Sequence, residues 1–455
     1  MTALPLLAPR DLSAPLAWRA GAPVSAAEFL ADAARQAEQL PAQGPMVNLC
    51  SDRYRFAVGL AAALMRGHTS LFPPNAMPET LARLRGPYPQ VTALSDDPAF
   101  QSADLQRVPL APLGQGTAAD ATVPAVPAAL HAACLLTSGS TGAPQPHFKA
   151  WGTLVSNVGA AAARLAEWLG RPSLAGLTVV ATVPPQHMYG FESSVLLALL
   201  GGAAFDGGRP FYPADIAEAL ARVPRPRALV TTPFHLKTLL LSGVALPPVD
   251  LVLSATAPLS PQLAQQAEQR LGGPLIEIYG CTEAGQVATR RTAQSELWQT
   301  FGELRIRHEL REGGERFVVQ GGHVVEPTPL ADILQLESAQ RFRLLGRAND
   351  LIHVAGKRTS LSHLNYHLNS IEGVDDGAFW LPDDVADGVV RTVAFVVAPG
   401  LDAPQILAAL RQRIEPVFLP RRIVHLPALP REATGKLTDK ALRALAKAQL
   451  QGGAA

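Results

Sequence analysis

The chain has 455 residues, 48% of them apolar, and a formal net charge of +1. That length supplies more than one domain and a large core, and the near balance of charge argues against a nucleic-acid-binding protein, whose footprint is a basic excess. No uninterrupted apolar run reaches the ~18 residues that span a bilayer, the nearest being Val195 to Phe205.

In chain order, Ser25-Ala26-Ala27-Glu28 is a capping box opening a helix to about Leu40, with Val24 and Phe29 spaced as a hydrophobic staple. Val47 to Cys50 reads as a strand, Phe56 to Met65 as a helix, and Pro/Ala-rich residues 111 to 129 as an exposed linker. The apolar run Ala132 to Leu136 is a buried strand leading into Thr137-Ser138-Gly139-Ser140-Thr141-Gly142. Such a loop exposes successive backbone N–H groups and hydroxyls, an arrangement that cradles phosphate oxygens; alone, it reads equally as an ordinary loop. Thr178 to Thr182, Ala228 to Thr232 and Leu251 to Ser254 are short strands, and Phe191 to Leu200 is a helix. This alternation implies α/β layers rather than a bundle or a sandwich.

After Asn349 the pattern restarts on a smaller scale. Leu351 to Val354, Gly377 to Leu381, Thr392 to Val397 and Ile423 to Leu426 read as strands. Asp402 caps a helix with the apolar face Ile406, Leu407, Leu410 and Ile414, and a terminal helix runs from Thr438 to about Leu450. The expected organisation is a large multi-layer α/β domain over residues 1–348 and a small mobile α+β domain over 349–455, with the boundary near 348 to 350. No basic region followed by an apolar one opens the chain, so no secretory signal is expected. Cys50, Cys134 and Cys281 are odd in number and lack metal-ligand spacing, which fits a reducing compartment, and a cytoplasmic enzyme is the expectation.

Five motifs, in order, resemble those of the adenylate-forming superfamily of acyl-CoA synthetases, aryl-CoA ligases and peptide-synthetase adenylation domains. Thr137 to Gly142 resembles the phosphate loop, and Ile278-Tyr279-Gly280-Cys281-Thr282-Glu283 the Tyr-Gly-x-Thr-Glu motif. Asp332, in Leu330-Ala331-Asp332, falls at the ribose-binding Asp. Gly346-Arg347-Ala348-Asn349-Asp350 through Gly356-Lys357-Arg358 is similar to the hinge segment, and Gly435-Lys436 to the C-terminal catalytic lysine.

The resemblance implies ATP and Mg2+, a small carboxylic acid, and CoA or a carrier-protein phosphopantetheine as thiol acceptor. It places catalysis on Lys436, Thr282 and Glu283, with Glu283 also the magnesium ligand. ATP or AMP is expected against Thr137, Ser138, Gly139, Ser140, Thr141, Gly142, Thr256, Ala257, Pro258, Glu277, Tyr279, Gly280, Asp332 and Arg347. The acyl group is expected against His187, Ala255 and Cys281, pantetheine at Gly356 and Arg358, and the hinge at Asn349. These residue types suit the chemistry. A carboxylate and the α-phosphate of ATP are both anions, so joining them demands fixed positive charge in a water-excluded site. The chain has only six lysines, and an ammonium on a flexible stem at position 436 does what a planar guanidinium cannot. An ionised Asp332 can accept from both ribose hydroxyls, Thr282 can donate to the α-phosphate, and Tyr279 offers adenine an aromatic face. Read singly, Lys436 and Arg347 are equally surface residues, and His187, in Pro184 to Gly190, is equally a packed histidine.

Three departures from the family pattern stand out. The phosphate loop usually ends in Pro-Lys, whereas this chain has Pro144-Gln145, with His147 and Lys149 just beyond and Lys149 a possible substitute. Ala331 replaces a Gly before Asp332, and Asn349 stands where the hinge usually has Asp or Lys. Pro144-Gln145-Pro146-His147 with Lys149 and Trp151 resembles the AMP-ligases of aryl polyene and xanthomonadin pigment clusters, which implies a hydroxybenzoate-like acid and an acyl carrier protein. The basic C-terminal stretch, with Arg421, Arg422, Arg431, Lys440 and Arg443 among others, suits an acidic carrier and reads equally as a solvated surface. The rival readings are a CoA ligase with the same first half-reaction and a non-catalytic nucleotide- or acyl-binding protein.

Overall fold

The computed structural model describes residues 2–115, 122–138, 144–311, 314–347, 351–354, 357–382, 392–431 and 437–451. Four strands, Thr178–Ala181, Arg227–Thr231, Leu251–Ser254 and Leu275–Cys281, pair in parallel. The first three are buried along their whole length, as parallel strands covered on both faces must be. Helices Pro213–Arg222, Pro233–Leu241 and Pro261–Leu271 follow strands of this sheet, each with Pro in its first turn, where a missing N–H breaks no helical bond. The sheet extends to eleven strands among the described residues and turns antiparallel from Gly285–Arg290 onward.

A second sheet, of six described strands, ends on the antiparallel pair His131–Ser138 and Pro144–Ala150. One hydrophobic cluster joins the two sheets, with Phe56 and Leu60 from helix Arg53–Met65, Phe72 and Leu135 from the second sheet, and Val179, Leu253 and Phe191 from the first side. The rings of Phe56, Phe72 and Phe191 pack mutually at centroid separations of 5.0 to 6.4 Å. A smaller C-terminal domain has its own core, including Leu364, Leu368, Phe379, Ala394, Ile406 and Leu410. Its sheet orders Asp376–Trp380, Val393–Val397 and Arg422–His425. Lys237 of the large domain donates to the Val374 carbonyl at 2.5 Å, linking the two.

Local expectations hold where a cap or an apolar run defines them. Ser25 caps helix Ala26–Gln39 with the reciprocal Glu28 contact, and Asp402 caps Ala403–Arg411 with Gln405 in the same manner. Ile414 lies beyond that helix yet stays buried. Two expectations need correction. The helix read over Phe191 to Leu200 is three short pieces, Met188–Gly190, a π-helical Phe191–Leu196 and Leu197–Leu199. Here Glu192, Ser193 and Ser194 are buried along with the apolar residues, so polarity carries no period to reveal the extra residue of a π turn. The stretch read as an exposed linker is built into the fold where described. Ala111 donates to Gln36 Oε1 and Gly114 to Asp32 Oδ1, both at 2.9 Å, and Ala125–Pro127 pairs with Ala3–Pro5. Small apolar Pro and Ala break periodicity without forbidding burial. Residues 116–121 and the expected boundary at 348–350 lie outside the described residues.

Strand Leu251–Ser254 runs into Ala255-Thr256-Ala257-Pro258, where Thr256 has φ +82°. A β-branched side chain is strained there, and only glycine adopts this region freely. Thr256→Gly is therefore expected to stabilise the protein by about 1 kcal/mol, net of glycine's extra freedom in the unfolded chain. An unchanged or lowered denaturation midpoint would show that this backbone stores no strain.

Candidate functional site

Parallel strands collect ligand-binding residues at their carboxyl ends, because the loops there lie outside the helical layers. His187 follows strand Thr178–Ala181, Ala255 to Pro258 follow Leu251–Ser254, and Thr282 and Glu283 follow Leu275–Cys281. Thr137 and Ser138 end strand His131–Ser138 of the other sheet. The two sheets meet at these ends. Thr137 Oγ1 lies 3.0 Å from His147 Nε2, and the same nitrogen lies 3.9 Å from Glu283 Oε1. The Glu283 side chain is 48% exposed.

The Tyr279 to Glu283 segment is shaped by its neighbours. A bulge falls between Tyr279 and Gly280, and a side chain at 280 would run into the Gly285 carbonyl, so glycine is required. The Tyr279 hydroxyl donates to Asp332 Oδ2 at 2.7 Å, and its ring packs against Trp298 and Phe342 at 5.7 and 5.5 Å. Strand register sets Asp332 opposite Arg347, which brings two expected nucleotide contacts together. Burial pushes the Cys281 thiol up to about 12, so it is a neutral wall rather than a nucleophile.

Glu277 is a correction. It was expected against the nucleotide, but its side chain is 4% exposed and committed elsewhere, bonded by Arg290 Nε at 2.7 Å and Thr292 Oγ1 at 2.6 Å. Its motif neighbourhood, not its own environment, had drawn the expectation. His187 is exposed and caps the turn Met188–Gly190, accepting from the Tyr189 N–H at 3.3 Å. Ala255 is buried, whereas Thr256 and Pro258 are exposed and Ala257 is half-buried. Gly139, Ser140, Thr141, Gly142, Asn349, Gly356 and Lys436 lie outside the described residues, as do the side chains of Ser138, Arg347 and Arg358.

Lys149 does not occupy the place of the missing loop lysine. A strand rises about 3.4 Å per residue, so four residues beyond Gln145 lie roughly 13 Å along it. The Lys149 ammonium turns inward instead and donates to the Glu283 carbonyl at 2.7 Å. Behind it lies Glu192, 2% exposed, which accepts from Asn157 Nδ2. Burial pushes the Glu192 carboxyl up and the Lys149 ammonium down, and each charge opposes the shift of the other. Sequence reasoning missed Glu192, although a single charge in the otherwise uncharged stretch Phe191 to Leu200 was a readable signal.

Among the described residues no helix is long and apolar enough to cross a membrane, and no group of three or more His, Cys, Asp or Glu forms a metal site by itself. Glu283 nevertheless suits Mg2+, which takes one or two carboxylates and fills its remaining positions with phosphate and water oxygens.

Comparison with known proteins places the fold and the family. The 4-coumarate–CoA ligase of Rhodobacter capsulatus is 31% identical over 307 residues, covering 67% of this chain and 74% of that enzyme. That of Halorhodospira halophila is 31% identical over 318 residues, covering 66% and 73%. ATP-bound MatB from Rhodopseudomonas palustris superposes with a TM-score of 0.78 at 20% identity over 96% of each chain. The o-succinylbenzoate CoA synthetase MenE of Bacillus subtilis, in complex with ATP and magnesium, gives 0.77 at 19% identity over 94% and 96%. These structural likenesses establish the fold, large domain and small. The profile of AMP-binding enzymes matches residues 17–304, a span holding the phosphate loop and the Tyr279 to Glu283 motif, and the chain belongs to this adenylate-forming family of AMP-binding enzymes.

Proposed function

We propose that the chain makes an acyl-adenylate from ATP and a small aromatic carboxylic acid of the hydroxybenzoate type. It then passes the acyl group to the phosphopantetheine thiol of an acyl carrier protein. The enzyme is an acid–thiol ligase that releases pyrophosphate and AMP. The observation that carries this reading is the convergence of Thr137 and Glu283, from separate sheets, on Nε2 of His147. A free carboxylate repels nucleophiles, and adenylation converts one of its oxygens into a leaving group. Glu283 would hold Mg2+, which neutralises phosphate charge as pyrophosphate departs. Thr282 donates to the α-phosphate, Asp332 and Arg347 hold the ribose, and Tyr279 fixes Asp332 through its hydroxyl.

The domain boundary is placed at 348/349, with Asn349 as the pivot that brings Lys436 to the two anions for adenylation and Gly356 with Arg358 to the pantetheine arm for transfer. The aromatic acid and the carrier protein are supported by the Pro144 to Trp151 segment and by exposed Arg421 and Arg422. A second reading, transfer to free CoA, is favoured by the two 4-coumarate–CoA ligases to which the chain is 31% identical. A cytoplasmic setting, where ATP and pantetheine thiols are both present, fits either acceptor.

ATP–pyrophosphate exchange driven by a panel of carboxylic acids tests the first half-reaction. Hydroxybenzoates are expected to drive it best, and exchange with aliphatic acids alone would overturn the aromatic reading. Thioester formation on holo-carrier protein is expected to exceed that on CoA; the reverse preference would establish the CoA ligase.

Glu283→Gln is expected to cut exchange at limiting magnesium by about 100-fold, the scale of one lost electrostatic stabiliser, in a folded protein. Near-normal exchange would take Glu283 out of the metal shell. Lys436→Ala is expected to lose acyl-AMP formation by about 100-fold, equivalent to roughly 3 kcal/mol, yet convert supplied acyl-AMP and thiol at near-normal rate. Equal failure of both half-reactions in the folded variant would refute the two-arrangement assignment.

A further inference from the structure

Glu283 leaves the sheet through a bulge and a turn, so pairing with the neighbouring strand does not by itself fix where its carboxylate points. Its main chain is held from the other sheet. His147 and Lys149 are two residues apart on strand Pro144–Ala150 and therefore share a face. His147 approaches the carboxylate, and Lys149 bonds the carbonyl of the same residue.

We propose that Lys149 is the positioning residue of Glu283, holding its main chain from the other sheet; this rests on the reading of Glu283 as the carboxylate that holds magnesium. Lys149 is 6% exposed and its neighbours on the adjoining strand, Ala132, Ala133 and Cys134, are buried and uncharged or neutral, so an apolar side chain would satisfy packing alone. A buried ammonium is retained only where specific partners compensate its lost hydration. Those partners are present. One is the Glu283 carbonyl, a charge-assisted acceptor; the Glu192 carboxyl, held by Asn157 of helix Trp151–Trp168, adds a polar group to the same buried surroundings. The exit of the turn rests on the same group, since a side chain at Gly285 would come within 2.7 Å of Asn157 Nδ2 and 3.0 Å of Glu192 Oε1. Bonding the carbonyl rather than the carboxylate fixes the residue and leaves both carboxylate oxygens for a cation.

The test compares Lys149→Met with the double variant Lys149→Met/Glu192→Gln. Calorimetry measures the ratio of ATP dissociation constants without and with saturating Mg2+, and thermal midpoints are recorded on the same nucleotide-free proteins. The single variant leaves the buried Glu192 carboxyl without the neighbouring ammonium and lowers the midpoint, whereas the double variant puts a neutral amide in place of that acid and recovers most of it. The magnesium ratio is expected to fall about tenfold in both, the loss typical of a supporting contact behind a metal ligand, with magnesium-free ATP binding within about twofold of wild type. In Lys149→Gln/Glu192→Gln, which keeps a donor for the carbonyl, part of the ratio is expected to return. A wild-type ratio in the Met/Gln double variant would overturn the proposal and leave Lys149 as a buried neighbour of Glu192 alone. A wild-type protein without magnesium dependence, or Glu283→Gln with an undiminished ratio, would instead remove the metal reading of Glu283, and the tether with it.

Discussion

The ammonium of Lys149 on the carbonyl of Glu283 joins the two sheets of the large domain where the proposed site lies. In the proposed reading each sheet alone presents half of it. A strand of the second sheet ends at Thr137 and Ser138, and one of the first ends at Cys281, just before Thr282 and Glu283. Strand pairing cannot align residues on different sheets, and packing of Phe56, Phe72 and Phe191 between them sets their spacing without setting direction. A directed bond is needed, and strand Pro144–Ala150 supplies it through Lys149, with His147 3.9 Å from the Glu283 carboxylate beside it.

The same economy of contacts explains how much of this was legible beforehand. Leu251–Ser254 was read with the bounds it has, because a strand buried on both faces is an unbroken apolar run whose ends are marked by polar or small residues. The motif from Tyr279 to Glu283 was legible through its resemblance to the family's Tyr-Gly-x-Thr-Glu sequence and as a turn after a buried strand, whereas the bulge between Tyr279 and Gly280 was not. Pairings between side chains were not. Nothing in sequence tells that Glu277 spends its carboxylate on Arg290 and Thr292, or that Tyr279 spends its hydroxyl on Asp332, since those partners arrive from strands set by topology. The π-helical Phe191–Leu196 was illegible for another reason: burial on every side erases the periodicity that identifies a helix and its register.

Replacement of the loop lysine by Gln145 is easier to understand in this light. A cation fixed at the end of the phosphate loop attracts ATP before reaction as strongly as during it, so much of its effect is uniform binding rather than acceleration. In the proposed reading the decisive positive charge arrives on Lys436 with the small domain, when the carboxylate and the α-phosphate must approach. The fixed cation retained nearby, Lys149, is turned away from the cleft and spent on geometry.

That arrangement also constrains how the small domain is held. Arg431, the last described residue before Lys436, bonds both oxygens of Asp376 at 2.7 Å, so the segment carrying the lysine leaves from the sheet of its own domain. Two residues before Asp376, the Val374 carbonyl takes the Lys237 ammonium of the large domain. The docking contact and the anchor of the Lys436 segment therefore sit at the two ends of one short stretch, Val374 to Asp376. A small domain that moves as a body carries the anchor with it, whereas the Lys237 bond must break. A single desolvated ammonium on one carbonyl is directional enough to define an arrangement, and it is small beside the continuous cores that keep each domain folded.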